Sequence, residues 1–431
     1  MATTYLSRAA ADFGTPTNRK KCTISFWLKR ASLTVQQAVM GVETTPAGGA
    51  NEARFILRGD DTLEFYDYQS GYKFRYITNR LIRDTSAWYN IVLAVDTTHP
   101  TGSERVKIYI NGVQETSFSS STDPAQDLDT FINSGNYLQI GRQSTGNSYL
   151  NGSLSHYNFI DGTTYDATAF GSTDSTTGEW KINTTPTVSY GTNGFFILKD
   201  GNSVTDASTN TNNFTVSGGT LTKTEDNPSN VFSVWNSLAN QGSVPLYNGN
   251  TRAVFTAGGW NFVYSTLGAS SGKYYYEVKA ANTGSDSNIG IMEMDTATNE
   301  QGTADNVGKN TESVAYASNG SIKKNNVTVQ TGLGSISTGE IVGIAMDLDN
   351  NTVQFYLQGV SRGTAVSIAS DKTYAFATSG YGSAEHHTNF GNGYFETTAV
   401  SSAGTNASGN GIFEYDVPAN FTALSTKGLN L

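Results

Sequence analysis

Two short stretches bring carboxylates close enough in sequence to invite glycosidic hydrolysis. That chemistry, when configuration is retained, needs a carboxylate pair about 5 Å apart. The first stretch is Glu293-Met294-Asp295, with Glu300 the next acid. Thr, Ala, Thr and Asn stand between Asp295 and Glu300, and four small neutral residues read as a loop that breaks strand alternation. The second is Glu64-Phe65-Tyr66-Asp67, where Glu64 and Asp67 fall on opposite faces of an extended strand. Neither forms a pair, so no catalytic residues are assigned and the chain is expected not to be an enzyme. His386-His387 is the only paired imidazole. Neighbours on a strand point to opposite faces, so the two do not serve one zinc ion, which also wants more ligands than the lone Glu385 beside them. No Ser–His–Asp arrangement and no phosphate-cradling glycine loop is present.

Carbohydrate recognition is the chemistry that the residues offer instead. Residues 63–76, LEFYDYQSGYKFRY, interleave aromatic faces with polar partners. Tyr66, Tyr68 and Tyr72, with Asp67, are the candidate ligand-binding residues. Alternation puts Phe65 with Asp67 on one face and Tyr66 with Tyr68 on the other, and one of the two faces must be core. Packing of these tyrosines inside a sandwich or at a subunit interface is the competing reading.

These residues sit on strands. In Thr23–Leu28, Ile24, Phe26 and Leu28 alternate with Thr23, Ser25 and Trp27, the period of a half-buried strand. Residues 54–57, 62–66, 72–77, 88–95 and 106–110 repeat the pattern between Gly, Asp, Asn and Thr turns. No window holds a capped 3.6-residue apolar period. Short strands at this spacing predict an antiparallel sandwich or barrel. An internal echo sharpens the picture: VKIYINGV at 106–113 resembles VQFYLQGV at 353–360, each preceded by an apolar strand ending in aspartate, IVLAVD at 91–96 and IVGIAMD at 341–347. The expected fold is therefore all-β, two antiparallel β-sandwiches of related design. A Thr/Asn/Gly-rich stretch, 166–250, is expected to bridge them, with strand-like pieces at 194–199 and 213–216 and with Trp180, Phe195, Phe196 and Trp235 needing burial. From 396 a Gly/Ser/Asn-rich tail ends in FEYDVPANFTALSTKGLNL, apolar enough to dock or to contact another subunit.

Composition narrows the classes. Only 15% of the 431 residues are charged, against about 25% in ordinary domains, while 11% are aromatic, which a disordered chain would lack. The net charge of −10 lies wholly in residues 166–431, because residues 1–165 hold 15 basic and 15 acidic side chains. Without a basic stripe, no nucleic-acid partner is expected. The single Cys22 excludes an intramolecular disulfide and is expected to be a buried, inert hydrophobe. The longest aliphatic run, Ile91–Val95, is far short of the ~20 residues that span a bilayer, so no membrane insertion is expected. The first residues lack a secretory apolar core, which points to synthesis and assembly in a cytoplasm.

TISFWLKR, SAWYNIVLAVD, VKIYINGVQ, YLQIGR and LNGSLSHYNFIDG, in that order and spacing over residues 1–165, resemble laminin-G-like (concanavalin A-like lectin/glucanase) domains. SGKYYYEVKA, SNIGIMEMD, EIVGIAMDLDNNTVQFYLQG and HTNFGNG resemble a SPRY domain over 251–395. The resemblance implies two jelly-roll, concanavalin-like sandwiches, at 1–165 and 251–395, the bridge between them and a tail at 396–431. It also implies that calcium is possible at a sandwich rim, with Asp60, Asp61, Asp96 and Asp161 as candidate ligands and no other cofactor. The paired modules and the ending are similar to virion structural proteins of tailed phages. That implies a non-enzymatic tail fibre, appendage or capsid decoration subunit on the virion surface. Its partners would be other virion proteins, copies of itself in a homo-oligomer and a host cell-surface glycan. A purely structural virion clamp is one alternative. A laminarinase-type hydrolase is the other, but that class sets its acids alternately on one strand, which Glu293, Asp295 and Glu300 do not.

Overall fold

The computed structural model describes residues 3–430 apart from 47–48, 144–147, 200–202, 241, 257 and 296–305. It is nearly all β, with 3% helix. Contacts divide the chain into two compact units, residues 1–223 and 224–431.

In the first unit an eight-stranded antiparallel sheet runs in the order Phe118–Thr122, Tyr72–Leu81, Thr62–Gln69, Asn51–Leu57, Gln37–Glu43, Tyr137–Ile140, Tyr5–Arg8 and Thr215–Ser217. It shares one apolar core with a six-stranded sheet of Phe195–Ile197, Gly152–Asp161, Lys21–Arg30, Tyr89–Asp96, Val106–Ile110 and Val113–Gln114. Ile24, Phe26 and Leu28 face that core with no exposure, as their alternation requires. Phe26 stacks on Tyr157 at 5.1 Å and meets Phe55 edge-on at 5.3 Å; burying such a ring is worth about 1.5–3 kcal/mol. The opposite side of this strand is buried too, so it is not the half-buried strand its pattern suggests. The reason lies in residues 166–190, where Ala167, Phe170 and Trp180 cover the outer face of the six-stranded sheet over Val92 and Ile160. Cys22 is fully buried, and burial raises its thiol pKa far above the ordinary range.

The second unit pairs a seven-stranded sheet with an eight-stranded one. The first runs Trp235–Asn240, Asn261–Ala269, Tyr374–Tyr381, Asp286–Glu293, Ser313–Ala317, Ile322–Lys324 and Val327–Gln330. The other runs Leu246–Tyr247, Arg252–Val254, Glu385–Asn389, Lys273–Asn282, Ile341–Asp347, Thr352–Leu357 and Val360–Ser367, with Thr422–Ala423 added beside Lys273–Asn282 in parallel. Trp235, Tyr276, Phe376 and Phe390 fill the centre, Tyr276 stacking on Phe376 at 4.0 Å. At the last strands of the two sheets, the Gln330 side-chain amide donates to the Thr364 carbonyl at 2.8 Å and accepts the Thr364 N–H at 2.9 Å. One side chain thus stands in for a rung of β-ladder.

The echoed hairpins close in the same way. Asn111 and Gly112 take φ of 49° and 78°, and Gln358 and Gly359 take 53° and 74°, the left-handed pair of a two-residue turn. Each turn glycine carries an aromatic from a later segment. A Cβ at Gly112 would lie 2.3 Å from Trp180, and one at Gly359 would lie 2.5 Å from Tyr415. The stretch expected to bridge the sandwiches is shared out between them. Phe195–Ile197 and Thr215–Ser217 extend the two sheets of the first, while Trp235–Asn240 and Leu246–Tyr247 extend those of the second. Phe195, Phe196 and Trp235 are buried as sheet residues, which is how their apolar surface leaves water.

Candidate functional site

The outer face of the first unit's eight-stranded sheet gathers the tyrosines. Phe65 and Asp67 point into the sandwich, and Tyr66 and Tyr68 point out of it. Counting back from the core residue Phe74, strict alternation would turn Tyr72 inward. A bulge prevents this: Asp67 pairs with Phe74 but Tyr68 pairs with Tyr72, one residue being skipped after the Ser70-Gly71 turn. Tyr72 therefore joins the outer face, where its ring meets Tyr66 at 5.4 Å and Tyr68 at 5.3 Å, both edge-on. It is 50% exposed. The Arg75 guanidinium lies over its ring at 4.9 Å.

Sheet register extends this platform into polar rows. One runs Arg75, Tyr66, Arg54, Gly41, Gln139, Ser7 across six strands. The next runs Tyr72, Tyr68, Glu52, Glu43, Tyr137. Tyr66 donates its hydroxyl to Glu52 Oε1 at 2.6 Å, and Arg54 Nη2 donates to Glu52 Oε2 and, at 3.2 Å, to Glu43 Oε1. Arg75 Nε and Arg58 Nη1 both hold Glu64, each at 2.7 Å. At Gly41 the Arg142 carbonyl comes near, 3.7 Å from where a Cβ would stand, so Arg142 overhangs the middle of the face. The Tyr72 end remains accessible. Glu43 and Glu52 form a facing carboxylate pair, but Arg54 lies between them, where a glycosidic oxygen or a water would have to sit.

Glu43, Glu52 and Arg54 escape a reading of the sequence one strand at a time. Their signal is a lone charge, Glu43, closing the apolar strand before residues 44–50, and two charges at alternate positions, Glu52 and Arg54, opening the strand after them. Only the pairing of Glu43 with Glu52 turns that signal into a site.

The structure separates Asp67 from the tyrosines. It is fully buried on the core side, where its carboxylate accepts the N–H groups of Phe131 and Ile132 at 2.6 and 3.0 Å and the Gln69 amide at 2.9 Å. Burial raises its pKa in spite of these donors. Asp67 is a staple for the 131–132 turn and does not face a ligand.

The four candidate calcium ligands do not converge either. Asp60 bonds Thr62 and Arg58, and the Thr62 hydroxyl foremost holds its carboxyl below the usual range. Asp61 is buried against Arg30 at 3.2 Å, Arg83 at 2.9 Å and the Thr34 N–H at 2.7 Å, and against the pull of burial these donors hold it low. Asp96 pairs with Lys21 at 2.9 Å and with Thr98; again the donors outweigh burial. Asp161 accepts from the N–H groups of Thr17 and Asn193 and from the Asn133 amide. Every one of these carboxylates serves turn or loop geometry. Among the described residues no group of three or more His, Cys, Asp or Glu could hold a metal ion.

His386 and His387 point to opposite sides of their strand. The buried His386 ring lies between Thr378 and Ser287, at 2.6 and 2.9 Å, and burial lowers its pKa to about 3. His387 reaches Glu385 at 2.6 Å. The strand carrying Glu293 ends there, Asp295 lies beyond it, and Glu300 falls outside the described residues. No helix among the described residues is long and apolar enough to cross a membrane.

Residues 3–166 match the family model of the concanavalin A-like lectin/glucanases superfamily, and residues 273–393 match that of the SPRY domain. The chain thus carries one laminin-G-like and one SPRY β-sandwich. Among solved structures, the SPRY domain of human HERC1 is similar at 15% identity, covering 36% of this chain and 96% of that one with a TM-score of 0.30. The PSpry domain of TRIM65 is similar at 12% identity, over 36% and 88% of the two chains, with a TM-score of 0.30. A candidate carbohydrate binding protein from Bacteroides ovatus is similar at 17% identity over 50% and 56%, with a TM-score of 0.35. No curated protein matches the chain.

Proposed function

We propose that this chain is a non-enzymatic, glycan-binding protein of a tailed-phage virion surface, a tail fibre, appendage or capsid decoration subunit. Its first sandwich would hold the sugar at Tyr72, Tyr68 and Glu52, with Tyr66, only 5% exposed, buttressing them from beneath through its bond to Glu52. The observation that carries the glycan reading is the bulge after Gly71. It costs the strand one ladder position and in return sets a half-exposed tyrosine beside two others and a Tyr66–Glu52–Arg54 hydrogen-bonded chain. Aromatic faces stack on the apolar faces of sugar rings, and carboxylate and guanidinium groups bond the hydroxyls around them. The absence of catalysis is supported by Arg54, whose guanidinium occupies the gap between the paired Glu43 and Glu52.

The particle setting is supported by the resemblance of the paired modules and the closing YDVPANFTALSTKGLNL to tailed-phage virion proteins. A surface of neutral polar groups suits contact with sugars and neighbouring subunits, with little dependence on salt. Glycan-array binding that falls at least tenfold in Tyr72→Ala, together with antibody labelling of purified particles, is the expected result. A blank array with tight capsid-protein binding would replace the adhesin with a clamp. Reducing-sugar release that stops in Glu52→Gln would replace it with a hydrolase.

A further inference from the structure

The second unit's outer sheet face is closed by the chain's own tail, whose Glu414 and Tyr415 N–H groups bond the buried Glu277 carboxylate beside Gly343 at 2.8 and 2.9 Å. On the first unit's face the sheet charges cancel: Arg54 bonds Glu43 and Glu52, and Arg58 and Arg75 both bond Glu64. Arg142, which overhangs that face, is the exception. Among the described residues no carboxylate pairs with it, and its buried Nε has no hydrogen-bond partner.

Its guanidinium lies over two rings instead, Tyr5 at 4.7 Å and Tyr149 at 5.4 Å, whose centroids are 6.4 Å apart. Leu6 enters the core, so Tyr5 and Ser7 stand on the outer side of their strand. Gly141, at φ 84°, turns the chain beside them, and a Cβ on it would lie 3.9 Å from Tyr5 Cα. Its carbonyl accepts the Leu150 N–H at 2.9 Å, which holds Tyr149 alongside. Ser7 and Ser217 share a hydroxyl bond at 3.3 Å on adjoining strands, and Gln139, 2% exposed, keeps its Oε1 without a partner. Arg142, Tyr5 and Tyr149 are each half-buried, so the guanidinium is fixed by packing while part of it meets solvent.

We propose that Arg142, Tyr5 and Tyr149 form a second subsite on this face, which takes the oxyanion of an acidic sugar, a uronate or a sulfate ester. The inference rests on the glycan reading above and adds to it the charge of the ligand. A guanidinium donates five N–H bonds in one plane. Rings beneath it fix its orientation but accept none of these bonds, so a donor edge stays matched to a pair of anionic oxygens. The surround is hydroxyl and amide: the exposed large aliphatic side chains of this unit, Val35, Leu81 and Val113, lie on other segments. That suits a sugar better than the apolar centre of a protein interface does. Five strand spacings separate the Tyr72 strand from the Tyr5 strand, about 24 Å in all. One sugar does not reach both subsites, so the ligand that uses both is a chain.

The test titrates the full protein with a series of neutral oligosaccharides and with their uronic-acid and sulfated counterparts. An acidic oligosaccharide is expected to bind about tenfold more tightly than the neutral one of equal length, and Arg142→Gln to bring that ratio to one. Arg142→Lys, which keeps the charge but not the planar donor edge, should lower the ratio as well. With no substitution at all, free glucuronate or inorganic sulfate should displace the acidic oligosaccharide and leave the neutral one bound. A gain for the uronate alone or for the sulfate alone identifies the oxyanion that is read. Equal affinities for neutral and acidic forms, or an acidic preference that Arg142→Gln leaves intact, overturn this subsite while the glycan reading stands. Binding of a poly-glutamate peptide without any preference for acidic sugars assigns Arg142 to a protein partner and overturns it too. Silence from every sugar removes the glycan reading itself, and this inference with it.

Discussion

Each sandwich has a glycine, Gly41 or Gly343, among the polar residues on the outer face of its eight-stranded sheet, and the two faces are finished in opposite ways. On the first, Gly41 lies on a face whose charges answer one another, Arg54 between Glu43 and Glu52 and Glu64 between Arg58 and Arg75, and the neighbouring row ends in the accessible Tyr72. On the second, Gly343 lies beside a single buried carboxylate that has no cation, and the chain's own backbone supplies its donors. A face whose charges are already balanced is stable uncovered. A lone carboxylate surrounded by tyrosines is stable only beneath something that donates to it.

The largest expected difference is in stability. Glu277→Ala leaves two part-buried N–H groups, of Glu414 and Tyr415, without their acceptor and should cost the second unit about 2–3 kcal/mol. Glu52→Ala, on a partly exposed pair, should cost the first less than about 1 kcal/mol. Urea unfolding followed through each unit checks this, and equal costs would erase the contrast.

Next is pH. Burial raises the Glu277 pKa from 4.5 to about 7, so the folded state holds a proton that the unfolded chain has released. Its contribution is complete below pH 4.5 and lost as pH rises through 7. The groups around it are Tyr275, Asn389, Tyr415 and Glu414, none of them a cation. His386, lowered by burial from 6.5 to about 3, acts in the opposite sense. Its contribution is complete above pH 6.5 and lost as pH falls towards 3. The two slopes oppose each other between pH 4.5 and 6.5. Glu277→Gln should therefore expose a fall in stability on acidification of up to ~1.4 kcal/mol per pH unit. A variant as flat as the parent would show that the carboxyl does not titrate there.

On the open face, Tyr72→Ala should weaken glycan binding tenfold, about 1.4 kcal/mol, while changing stability by less than ~0.5 kcal/mol. Parallel binding and unfolding measurements separate the two effects. The smallest effect expected is none at all: Cys22 should resist thiol reagents in the folded chain and react only as the first sandwich unfolds, which makes it a reporter for that unit alone.

Strands and turns were legible because alternation and Asn-Gly or Gln-Gly pairs are local signals. The tyrosine cluster was legible for the same reason. Its geometry was not, since the skipped residue after Gly71 depends on how Thr62–Gln69 and Tyr72–Leu81 pair. Asp67 and the four rim aspartates looked like ligands because a free carboxylate and a turn-forming one have the same letter. Glu277 did leave a trace, a lone acid in YYYEVKA, but its partners lie 137 and 138 residues away. The stretch 166–250 was legible as a segment whose aromatic residues must be buried against its neighbours, but not as one shared out between the sheets of both sandwiches, because strand pairing is not a local signal.

The amide of Gln330 has a consequence for crowding. Where many copies stand side by side, an open strand edge invites a neighbour's edge to pair with it and growth to continue without limit. By binding Thr364 through both its N–H and its carbonyl, Gln330 uses one of its own molecule's groups to occupy that edge. The Thr364 rung is thereby withheld from a neighbour's strand, while Val327, Val329 and Val360 on the same two strands stay exposed.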